Sequence, residues 1–374
     1  MREKIIAAGH ICIDITPMFQ CGKCRRIEEL LVPGKLLHVG AADIHTGGSV
    51  ANTGLAMKTL GADVSLMGKV GDDEFGRMIL NILDEHRAAE GMIVDPDSST
   101  SYTVVVAVPG IDRIFLHNPG ANDTFTERDL NFDLIREAVL FHFGYPPIMA
   151  SMYENEGKEL TKIFRRVKEE GCLTSLDLAA VDENSAAGRA DWEHIFEKTL
   201  PYVDFFLPSA EEICYMLDKK KYREWQERAA GRDVTEILSV EEDVAPLAER
   251  ILSMGCKLVI IKCGAAGFYY QTGTAEDFAK LSERSGLKLS GFAEKRGFEK
   301  SYVPDAVISG TGAGDTTIAA FLTAMVKGYP FERCLQLAAA TGANCVAAVD
   351  ALSGLKSFAE MEKRIDAGWA KQNL

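Results

Sequence analysis

The sequence predicts an α/β fold: a doubly wound, mostly parallel β-sheet flanked by helices, with a small β-rich lid. Three observations support this prediction. From residue 127 onward, apolar β-rich runs alternate with helical patterns, and such alternation favours a parallel sheet with right-handed crossovers. A β-rich run at 301–308 continues through closely spaced glycines into a helix. Two amino-terminal excursions, about 12–46 and 98–122, interrupt the alternation and are predicted to form the lid.

The composition indicates one large domain, 1–374, with a substantial core. Of the 374 residues, 47% are hydrophobic and 26% are charged, and a chain of this length can bury a large share of its apolar side chains. Acidic residues outnumber basic ones, 55 to 41, and the net charge is −14. Because such a surface repels polyanions, we do not expect nucleic acid or an anionic membrane as a partner.

The sequence also bears on the compartment. No apolar run approaches the roughly 20 residues of a membrane span, and the amino terminus lacks a signal-peptide cleavage pattern, so we expect a cytoplasmic protein. Most of the nine cysteines lie inside apolar runs, which suits reduced core thiols. Cys21 and Cys24 form a CxxC pair, but no second pair or histidine follows at zinc-site spacing, so the sequence assigns them no role.

The first apolar run, residues 4–15, predicts one buried strand that ends at Asp14. Burying a carboxylate without partners is costly, and ligand sites in open parallel sheets lie at the carboxyl ends of the strands. Asp14 is therefore either a ligand-binding residue or a turn-forming residue before Thr16 and Pro17. The residues alone leave both interpretations open.

A glycine pair, Gly47 and Gly48, precedes a helical pattern that ends at Gly61. Glycines let the backbone approach a ligand closely, although such a pair alone is commonly only a turn. Asn52 follows near the start of this helix and offers both a donor and an acceptor, which suits the neighbouring hydroxyl groups of a diol.

Strand 63–70 and a helix through about residue 90 come next in the predicted order. Two β-rich runs within 101–117 then flank Pro109 and Gly110, which predicts a hairpin. Because a hairpin cannot easily join a parallel sheet, we expect it to pair with the 16–46 segment and complete the lid.

The central part of the chain alternates regularly. The predicted helices are 127–138, 155–170, 190–199 and 210–217, and the predicted strands are 139–144, 172–178 and 202–208. Residues 218–243 are strongly charged and predict an inserted, solvated helix, with an interaction surface as the alternative. Strand 257–264 ends in a glycine turn before another β-rich run, residues 272–300 are predicted to be loop-rich, and the chain from 331 is helical and rich in alanine.

The stretch from Val307 to Val326 predicts a phosphate site. Gly310, Gly312 and Gly314 lie between a predicted strand and a helix. The first N–H groups of a helix lack intrahelical acceptors and carry partial positive charge, and glycines let this backbone approach an anion. The loop matches neither GxxxxGK[ST] nor GxGxxG, so it is not a Walker-type or dinucleotide-binding loop.

Asp315 places a carboxylate at the start of the same helix. Taken alone, such a residue is commonly a helix N-cap. Beside an anion site, however, two negative groups would repel each other unless a proton is moved. The sharper interpretation makes Asp315 a general base that takes a hydroxyl proton during phosphoryl transfer.

Two long motifs resemble those of a known family. The run GTGAGDTTIAAF, which begins at Gly310, resembles the carboxyl-terminal signature of the ribokinase-like (PfkB-type) carbohydrate kinases, and residues 45–76 resemble their amino-terminal signature. The resemblance spans nearly the whole chain. It implies a ribokinase-like fold and an ATP-dependent sugar kinase that transfers the γ-phosphoryl group to a primary hydroxyl of a small sugar or sugar acid, with ATP and Mg²⁺ as cofactors.

Other functions stay open beside this one. A nucleoside kinase of the same superfamily is the alternative, since GGSxxNT also resembles some of those enzymes. A 6-phosphosugar kinase is less favoured because Ser49 stands where those relatives tend to carry Lys. The missing GxGxxG pattern disfavours a dinucleotide-dependent oxidoreductase, and the intact GAGD disfavours a sugar-sensing protein without activity.

The resemblance also implies roles for individual residues. Asp315 would be the catalytic base, and the backbone N–H groups of Gly312, Ala313 and Gly314 would form the anion hole. The sugar-binding residues that it implies are Asp14, Gly47, Gly48 and Asn52. The nucleotide-binding residues that it implies are Ser209, Lys262, Gly264, Gly267 and Asn344.

Two positions of the family pattern need comment. Glu212 matches the glutamate of the family's NxxE element, which orders magnesium-bound water, whereas the family's Asn is Ser209 here; a capping box formed by Ser209 and Glu212 is the structural alternative. Ser309 replaces the Asp that the family associates with a potassium site, which leaves potassium activation in doubt.

The edges of an exposed lid favour pairing with a second copy, so we expect a homodimer through the lids.

Overall fold

A computed structural model describes residues 2–20, 22, 26–111 and 113–373. The CxxC pair, Cys21 and Cys24, lies outside the described residues. Of the other cysteines, those that were predicted to be core thiols are buried and form no disulfide.

The strands and helices follow one another in the predicted alternation. The strands are β1 (Lys4–Gly9), β2 (Cys12–Pro17), β3 (Ala42–Gly47), β4 (Val64–Met67), β5 (Lys69–Gly71), β6 (Ile93–Asp95), β7 (Tyr102–Val106), β8 (Ile114–Asn118), β9 (Ala138–Gly144), β10 (Leu173–Leu176), β11 (Phe205–Phe206), β12 (Leu258–Lys262), β13 (Gly267–Thr272) and β14 (Arg296–Lys300). The helices are α1 (Gly48–Thr59), α2 (Glu74–Glu85), α3 (Phe132–Glu137), α4 (Ala150–Tyr153), α5 (Lys158–Glu169), α6 (Ala186–Arg189), α7 (Trp192–Thr199), α8 (Ala210–Leu217), α9 (Lys219–Ala229), α10 (Ala245–Ser253), α11 (Ala275–Ser285), α12 (Ala313–Val326), α13 (Phe331–Cys345) and α14 (Phe358–Asp366).

The main sheet has eight strands among the described residues, in the order β14-β13-β12-β11-β10-β9-β1-β4. The strands from β12 to β4 pair in parallel, and β13 and β14 add an antiparallel edge. One face packs on a buried cluster that includes residues of α1, α12 and α13, and the other on a cluster that includes residues of α5, α7 and α8. The predicted doubly wound, mostly parallel sheet with helices on both faces is confirmed. None of the described helices is long and apolar enough to cross a bilayer.

A separate four-stranded sheet, in the order β3-β2-β7-β8, forms the lid. β7 and β8 form the hairpin expected around Pro109 and Gly110, and β7 pairs in parallel with β2. Its strands come from the two excursions that the sequence set apart from the main alternation.

The prediction of one strand over residues 4–15 is wrong, because the run divides between the two sheets. Gly9 has a φ of +119°, and a Cβ atom there would lie 2.3 Å from the carbonyl oxygen of Gly144, so only glycine fits at this crossing. The chain leaves the main sheet at Gly9, and Asp14 lies on lid strand β2 instead of ending a central strand. Apolar content could not reveal the division, since both halves are buried on at least one face.

Other boundaries also differ from the predictions. The run 63–70 divides into β4 and β5, which belong to different sheets. The polar segment 272–300, predicted to be loop-rich, contains α11 and β14, and helix α11 is started by a capping box at Thr274. Residues 301–308 form no continuous strand; Val307 and Ile308 there are 78% and 60% exposed.

The charged insertion 218–243 is not a purely solvated helix. Trp225 of α9 is fully buried, and its indole N–H donates to the Asp243 carboxylate at 3.0 Å. The Arg228 guanidinium also donates to both carboxylate oxygens of Asp243, at 3.0 and 3.1 Å. The insertion is therefore attached to the core through one tryptophan and through the buried Asp243 carboxylate, which pairs with both Arg228 and Lys221.

Candidate active site

The candidate site lies where the carboxyl ends of the central strands meet the start of α12. Tyr145 follows β9, Asp177 follows β10, and Lys262 ends β12. In an open parallel sheet these ends form the crevice that receives ligands. The fold thus gathers side chains that are far apart in the sequence.

Asp315 occupies the first turn of α12, whose N-cap residue is Gly312. Gly312 has a φ of +75°, and a Cβ atom there would lie 2.3 Å from the Cβ of Ala351, so the turn requires glycine. The predicted helix start near Asp315 is thus two residues earlier, at Ala313. The Asp315 side chain faces into the protein and is only 4% exposed.

Three side chains donate hydrogen bonds to the Asp315 carboxylate. Asn52 Nδ2 lies 3.0 Å from Oδ2, and Thr53 Oγ1 lies 3.3 Å from Oδ1. The Tyr145 hydroxyl lies 2.8 Å from each carboxylate oxygen. Burial raises the pKa of Asp315, while Lys262 and these three donors oppose that rise. The carboxylate is therefore oriented and made more basic than an exposed aspartate.

A buried ion pair lies beside this carboxylate. Lys262 Nζ is 2.7 Å from Asp177 Oδ1, and Asp177 is 1% exposed. Burial raises the pKa of Asp177 to about 7, although Lys262 acts in the opposite direction. Burial alone would lower the pKa of Lys262, but the charges of Asp177 and Glu212 outweigh it and raise that pKa. Lys262 is thus a cation at neutral pH.

A cavity of about 760 Å³ lies between the lid and the start of α12. Three of the residues predicted to bind the sugar, Asp14, Gly48 and Asn52, line it together with Asp315. Gly47 lies behind Asp14: a Cβ atom on Gly47 would come within 2.1 Å of Asp14 Oδ2, so glycine here makes room for that carboxylate. Aromatic side chains complete the wall: His10, Phe115, His117, Tyr145 and Tyr153.

A second cavity, of about 590 Å³, lies on the other side of Asp315. Of the residues predicted to bind nucleotide, the following line it: Ser209, Lys262, Gly264 and Gly267. Residues 312–315 form its floor together with part of α13. Asn344 is buried within α13 and is not on the wall, where Ala343 and Val346 lie instead. The geometry does not bring Asn344 together with the other predicted residues.

The two cavities meet at a shared border. The residues that line both are Tyr145, Glu212, Gly312 and Asp315. A group held in one cavity can therefore approach a group held in the other directly at the Asp315 carboxylate. This arrangement suits the transfer of a small group between two bound molecules.

The capping box at Ser209 and Glu212 is present. Ser209 Oγ accepts from the Glu212 N–H at 3.4 Å, and Glu212 Oε2 accepts from the Ser209 N–H at 2.8 Å. Glu212 nevertheless lines both cavities. Glu212 is half-buried, so one side chain both closes the capping box and places a carboxylate at the border of the two cavities.

The glycine loop before α12 has its own contacts. The Ala313 N–H donates to the Gly310 carbonyl at 3.3 Å, so this group is engaged within the loop. Ser309 Oγ accepts from the Thr311 N–H at 3.1 Å. The Lys262 ammonium lies beside the start of α12: a Cβ atom on Gly314 would be 3.6 Å from Nζ. A cation and a helix amino terminus therefore face the same space.

Several residues of the site were not anticipated from the sequence. Tyr145 and Asp177 are the main ones, with Thr53 and Arg113, whose guanidinium donates to the Thr311 hydroxyl in the glycine loop. Asp177 comes at the end of an apolar run, as Asp14 does in the run 4–15, so the rule applied to Asp14 would have selected it. Tyr145 carried no such signal, because a tyrosine beside Pro146 is ordinary.

The acidic side chains of the site are relevant to magnesium binding. Within the described ranges, no cluster of three or more His, Cys, Asp or Glu side chains could hold a metal ion by itself. Asp177, Glu212 and Asp315 nevertheless surround the second cavity with carboxylates. Such a site fits Mg²⁺ that keeps several waters and is bound largely through a nucleotide's phosphates.

Comparison with known proteins gives a consistent result. The model of the pfkB family carbohydrate kinases matches residues 7–357. Fructokinase-2 of Oryza sativa is 26% identical over 332 residues, covering 85% of this chain and 84% of its own. An uncharacterised sugar kinase of Archaeoglobus fulgidus is 25% identical over 301 residues, covering 80% of this chain and 98% of its own.

Solved structures show the same fold. Arabidopsis thaliana ribokinase, complexed with ribose and ATP, superposes with a TM-score of 0.71 at 19% identity and covers 97% of this chain and 98% of its own. An E. coli protein solved with ATP and Mg²⁺ superposes with a TM-score of 0.68 at 20% identity, covering 98% of this chain and 99% of its own.

Proposed function

Because the chain belongs to the pfkB family of carbohydrate kinases, we propose that it transfers the γ-phosphoryl group of ATP to a primary hydroxyl of a small sugar or sugar acid. It is a phosphotransferase with an alcohol group as acceptor. The observation that carries the finer proposal is the position of Asp315 at the border of the two cavities. The cavity under the lid would hold the sugar, and the cavity beside α13 would hold ATP.

The chemistry assigned to Asp315 is proton removal. The acceptor hydroxyl gives its proton to the carboxylate while its oxygen bonds to the γ-phosphorus, and ADP leaves as the bond to the bridging oxygen breaks. Asn52, Thr53 and Tyr145 hold the carboxylate oxygens through their hydrogen bonds. Burial favours this role, because the raised pKa makes Asp315 a better proton acceptor.

Negative charge on the transferring phosphoryl group needs stabilisation. The amino terminus of α12 would supply it through backbone N–H groups of Gly312, Ala313 and Gly314, and Lys262 would add a full charge from the side. The bond from Ala313 N–H to Gly310 would have to yield to the phosphoryl oxygens. Closure of the lid would exclude water, which would otherwise compete as acceptor.

Magnesium and nucleotide complete the proposed site. Mg²⁺ would neutralise and orient the phosphates of ATP, with Glu212 holding one of its waters. Ser209, Lys262, Gly264 and Gly267 would contact the nucleotide, and we assign no such contact to Asn344 because it lies off the cavity wall. Ser309 offers a neutral hydroxyl where a carboxylate would attract potassium, so we propose activity that does not depend on K⁺.

One observation favours the alternative, a nucleoside kinase of the same superfamily. The cavity under the lid is large, about 760 Å³, and Phe115 and Tyr153 line it. Aromatic rings of this kind can stack on a flat base. A nucleoside acceptor would use the same Asp315 and the same nucleotide cavity.

Two further properties follow from the lid and from the thiols. The outer face of the lid carries a cross-strand apolar row, Ile44, Ile15, Val104 and Leu116, in which Leu116 is 56% and Ile44 39% exposed. We propose that a second copy covers this row, giving a homodimer.

We also propose a cytoplasmic location, since free buried thiols suit a reducing compartment. We propose, too, that residues 1–374 form one functional domain.

The test is ATP consumption with Mg²⁺, with and without K⁺, across ketoses, aldoses, sugar acids and nucleosides. Asp315→Asn is measured alongside, and thermal unfolding checks that it remains folded. We expect turnover on a sugar that falls by about 10³-fold or more in the variant. Turnover on nucleosides alone would select the alternative, and full activity of Asp315→Asn would overturn the assigned base.

A further inference from the structure

We propose that His117, on lid strand β8, is a specificity-determining residue whose Nε2 atom accepts a hydrogen bond from a hydroxyl group of an uncharged acceptor. This inference rests on the proposed sugar kinase activity and deepens it. Under this inference, His117 favours neutral polyols over acids as acceptors.

The lid places His117 directly over the acceptor cavity. Asp14 on β2 pairs with Thr103 on β7, and Thr103 pairs with His117 on β8. Directly paired residues project from the same face of a sheet, and all three line the cavity. Asp14, Thr103 and His117 therefore form a polar row across the inner face of the lid.

Hydrogen bonds within this row define which imidazole nitrogen carries the proton. The Thr103 hydroxyl lies 3.0 Å from His117 Nδ1. Thr103 is also paired with Asp14 across the lid; burial raises the pKa of Asp14, and a hydrogen bond with Thr103 opposes that rise. A hydroxyl has one proton to donate, and a carboxylate can only accept. Thr103 therefore donates to Asp14 and accepts from the Nδ1–H of His117. In a neutral imidazole this leaves Nε2 with a lone pair and no proton.

The ring is also held in position and kept neutral. Its centroid lies 5.1 Å from that of His10, which is 1% exposed. The Ser101 hydroxyl anchors His10 at 3.4 Å from Nε2 while donating to the Asn118 carbonyl at 2.8 Å. Burial lowers the pKa of His117, and also that of His10, whose pKa the nearby His117 lowers further. His117 is thus an uncharged hydrogen-bond acceptor with little freedom to turn.

The chemistry of this acceptor limits what can bind beneath it. A hydroxyl group can donate to Nε2, but a carboxylate or phosphate has only lone pairs and would face both Nε2 and the Asp14 carboxylate. Cys12 Sγ donates to Asp14 at 3.3 Å, but a thiol carries no positive charge, so the row itself offers an anion no cation. The Arg113 guanidinium lies outside this row and donates to the hydroxyl of Thr311, which lines the same cavity. The described residues that line this cavity include Asp14, Asp123, Asp182, Glu212 and Asp315, and none is Lys or Arg.

The test compares His117→Phe with His117→Gln. Phe retains a flat ring against His10 but has no lone pair, whereas the Gln amide oxygen can reach the position of Nε2. On the best neutral acceptor, we expect His117→Phe to raise KM for that acceptor about five- to tenfold, the usual effect of losing one neutral hydrogen bond. The kcat and the KM for ATP should change little, and His117→Gln should recover most of the loss.

A deoxy series of the acceptor identifies the bonded hydroxyl. The wild type should bind one deoxy analogue more weakly than it binds the unmodified acceptor. The same analogue should bind the wild type and His117→Phe with equal affinity, because neither pair can form the hydrogen bond. The matched control is His86→Phe, the same exchange at the exposed end of α2. If the Phe variant matches the wild type on every neutral acceptor, or if sugar acids are the preferred acceptors, the inference is wrong.

Equilibrium binding separates this inference from the proposed function. If no acceptor is phosphorylated, the kinase proposal fails, and calorimetry of the same neutral acceptors then decides about His117. Binding that is weakened in His117→Phe and recovered in His117→Gln would support the inference without turnover. An absence of binding to any neutral acceptor would overturn it together with the proposed function.

Discussion

The hydroxyl of Tyr145 lies 2.8 Å from both carboxylate oxygens of Asp315, which is 170 residues away in the chain. Burial raises the pKa of Tyr145 well above its ordinary value, and the Asp315 charge raises it further. The phenol therefore stays protonated and donates throughout the neutral range. Its backbone has a φ of +67°, a left-handed conformation that is uncommon for tyrosine. The site thus maintains an unfavourable local geometry that directs one donor at the proposed base.

Tyr145→Phe should leave the Asp315 carboxylate less well oriented, because it removes this donor. The hydrogen bond from Tyr145 lowers the pKa of Asp315, so its loss raises that pKa and moves the acidic limb of the kcat/KM profile to higher pH. We expect kcat at neutral pH to fall about tenfold, as for the loss of one well-placed hydrogen bond. Tyr329→Phe, far from the cavities, is the control. An unshifted acidic limb in Tyr145→Phe would contradict the prediction.

Gly312→Ala should impair both stability and turnover. Alanine is strained at a φ of +75°, and its Cβ would collide with Ala351. Gly286→Ala is a matched control, because Gly286 has a φ of +76° with open space around it. Strain alone should lower the free energy of unfolding by about 1 kcal/mol in Gly286→Ala. Gly312→Ala should lower the free energy of unfolding by more than Gly286→Ala does. It should also reduce kcat, because the glycine loop must move to accommodate the Cβ atom.

Chemical denaturation and kcat together provide the readout for this pair. Equal losses of stability in the two variants, with activity retained in Gly312→Ala, would show that the loop tolerates a side chain and would count against its close packing on Ala351.

Lys262→Met should change how stability depends on pH. The pKa of Asp177 is raised to about 7 in the folded protein, so the folded state holds its proton more tightly than the unfolded chain. Stability from this group is therefore present at acidic pH and declines as pH rises toward 7. Lys262 opposes the rise, so its removal should extend the decline above pH 7, at a cost on the order of 3 kcal/mol.

The double variant Lys262→Met/Asp177→Asn isolates the cause. It lacks the Asp177 carboxyl, so thermal unfolding between pH 5 and 9 should lose the part of the slope that Asp177 adds. If the single and double variants show the same pH dependence, the slope does not arise from Asp177. Both variants should also raise KM for ATP if Lys262 contacts the phosphates.

Asp243→Asn should weaken the attachment of the insertion. Burial alone would raise the pKa of Asp243, but Arg228, the Ser239 N–H and Lys221 outweigh it and lower that pKa to about 2. A lowered folded pKa means that stability is present above about pH 4 and is lost as pH falls toward 2. We expect the variant to lose about 2 kcal/mol at neutral pH and to show a weaker acid dependence.

Asp305→Asn is the comparison for this change, because Asp305 is an exposed carboxylate that pairs with Arg364. Its effect on the free energy of unfolding should be small, as exposed pairs contribute little. Similar losses in the two variants would contradict a special role for the buried pair.

Leu116→Glu should separate the proposed dimer. Leu116 is 56% exposed in the apolar row on the outer face of the lid, and a charge there would have to be buried at the interface. Light scattering should give twice the chain mass for the wild type and the single mass for the variant. Leu36→Glu, at a residue that is 85% exposed and outside the lid strands, should stay dimeric. A monomeric wild type at micromolar concentration would contradict the proposed homodimer.

Much of the fold was predictable because its signals are local. The alternation of strands and helices identified the parallel sheet, and the hairpin at Pro109 and Gly110 identified part of the lid. Boundaries failed where an apolar run changes sheet without changing composition, as at Gly9. The prediction for residues 272–300 was wrong for another reason. Helix α11 and strand β14 are partly exposed, and their polar residues resemble those of a loop.

The sequence by itself determined the glycine turn before α12 and the carboxylate of Asp315, because a tight turn and a helix start are neighbours in the chain. Only the tertiary structure decided what surrounds that carboxylate. Asn52 donates to it from 263 residues away, and Lys262 pairs with Asp177 across 85 residues. Such partners leave no periodicity in the sequence, since their contact depends on the order of strands in the sheet. The burial that sets the pKa of Asp315 exists only when these elements pack together.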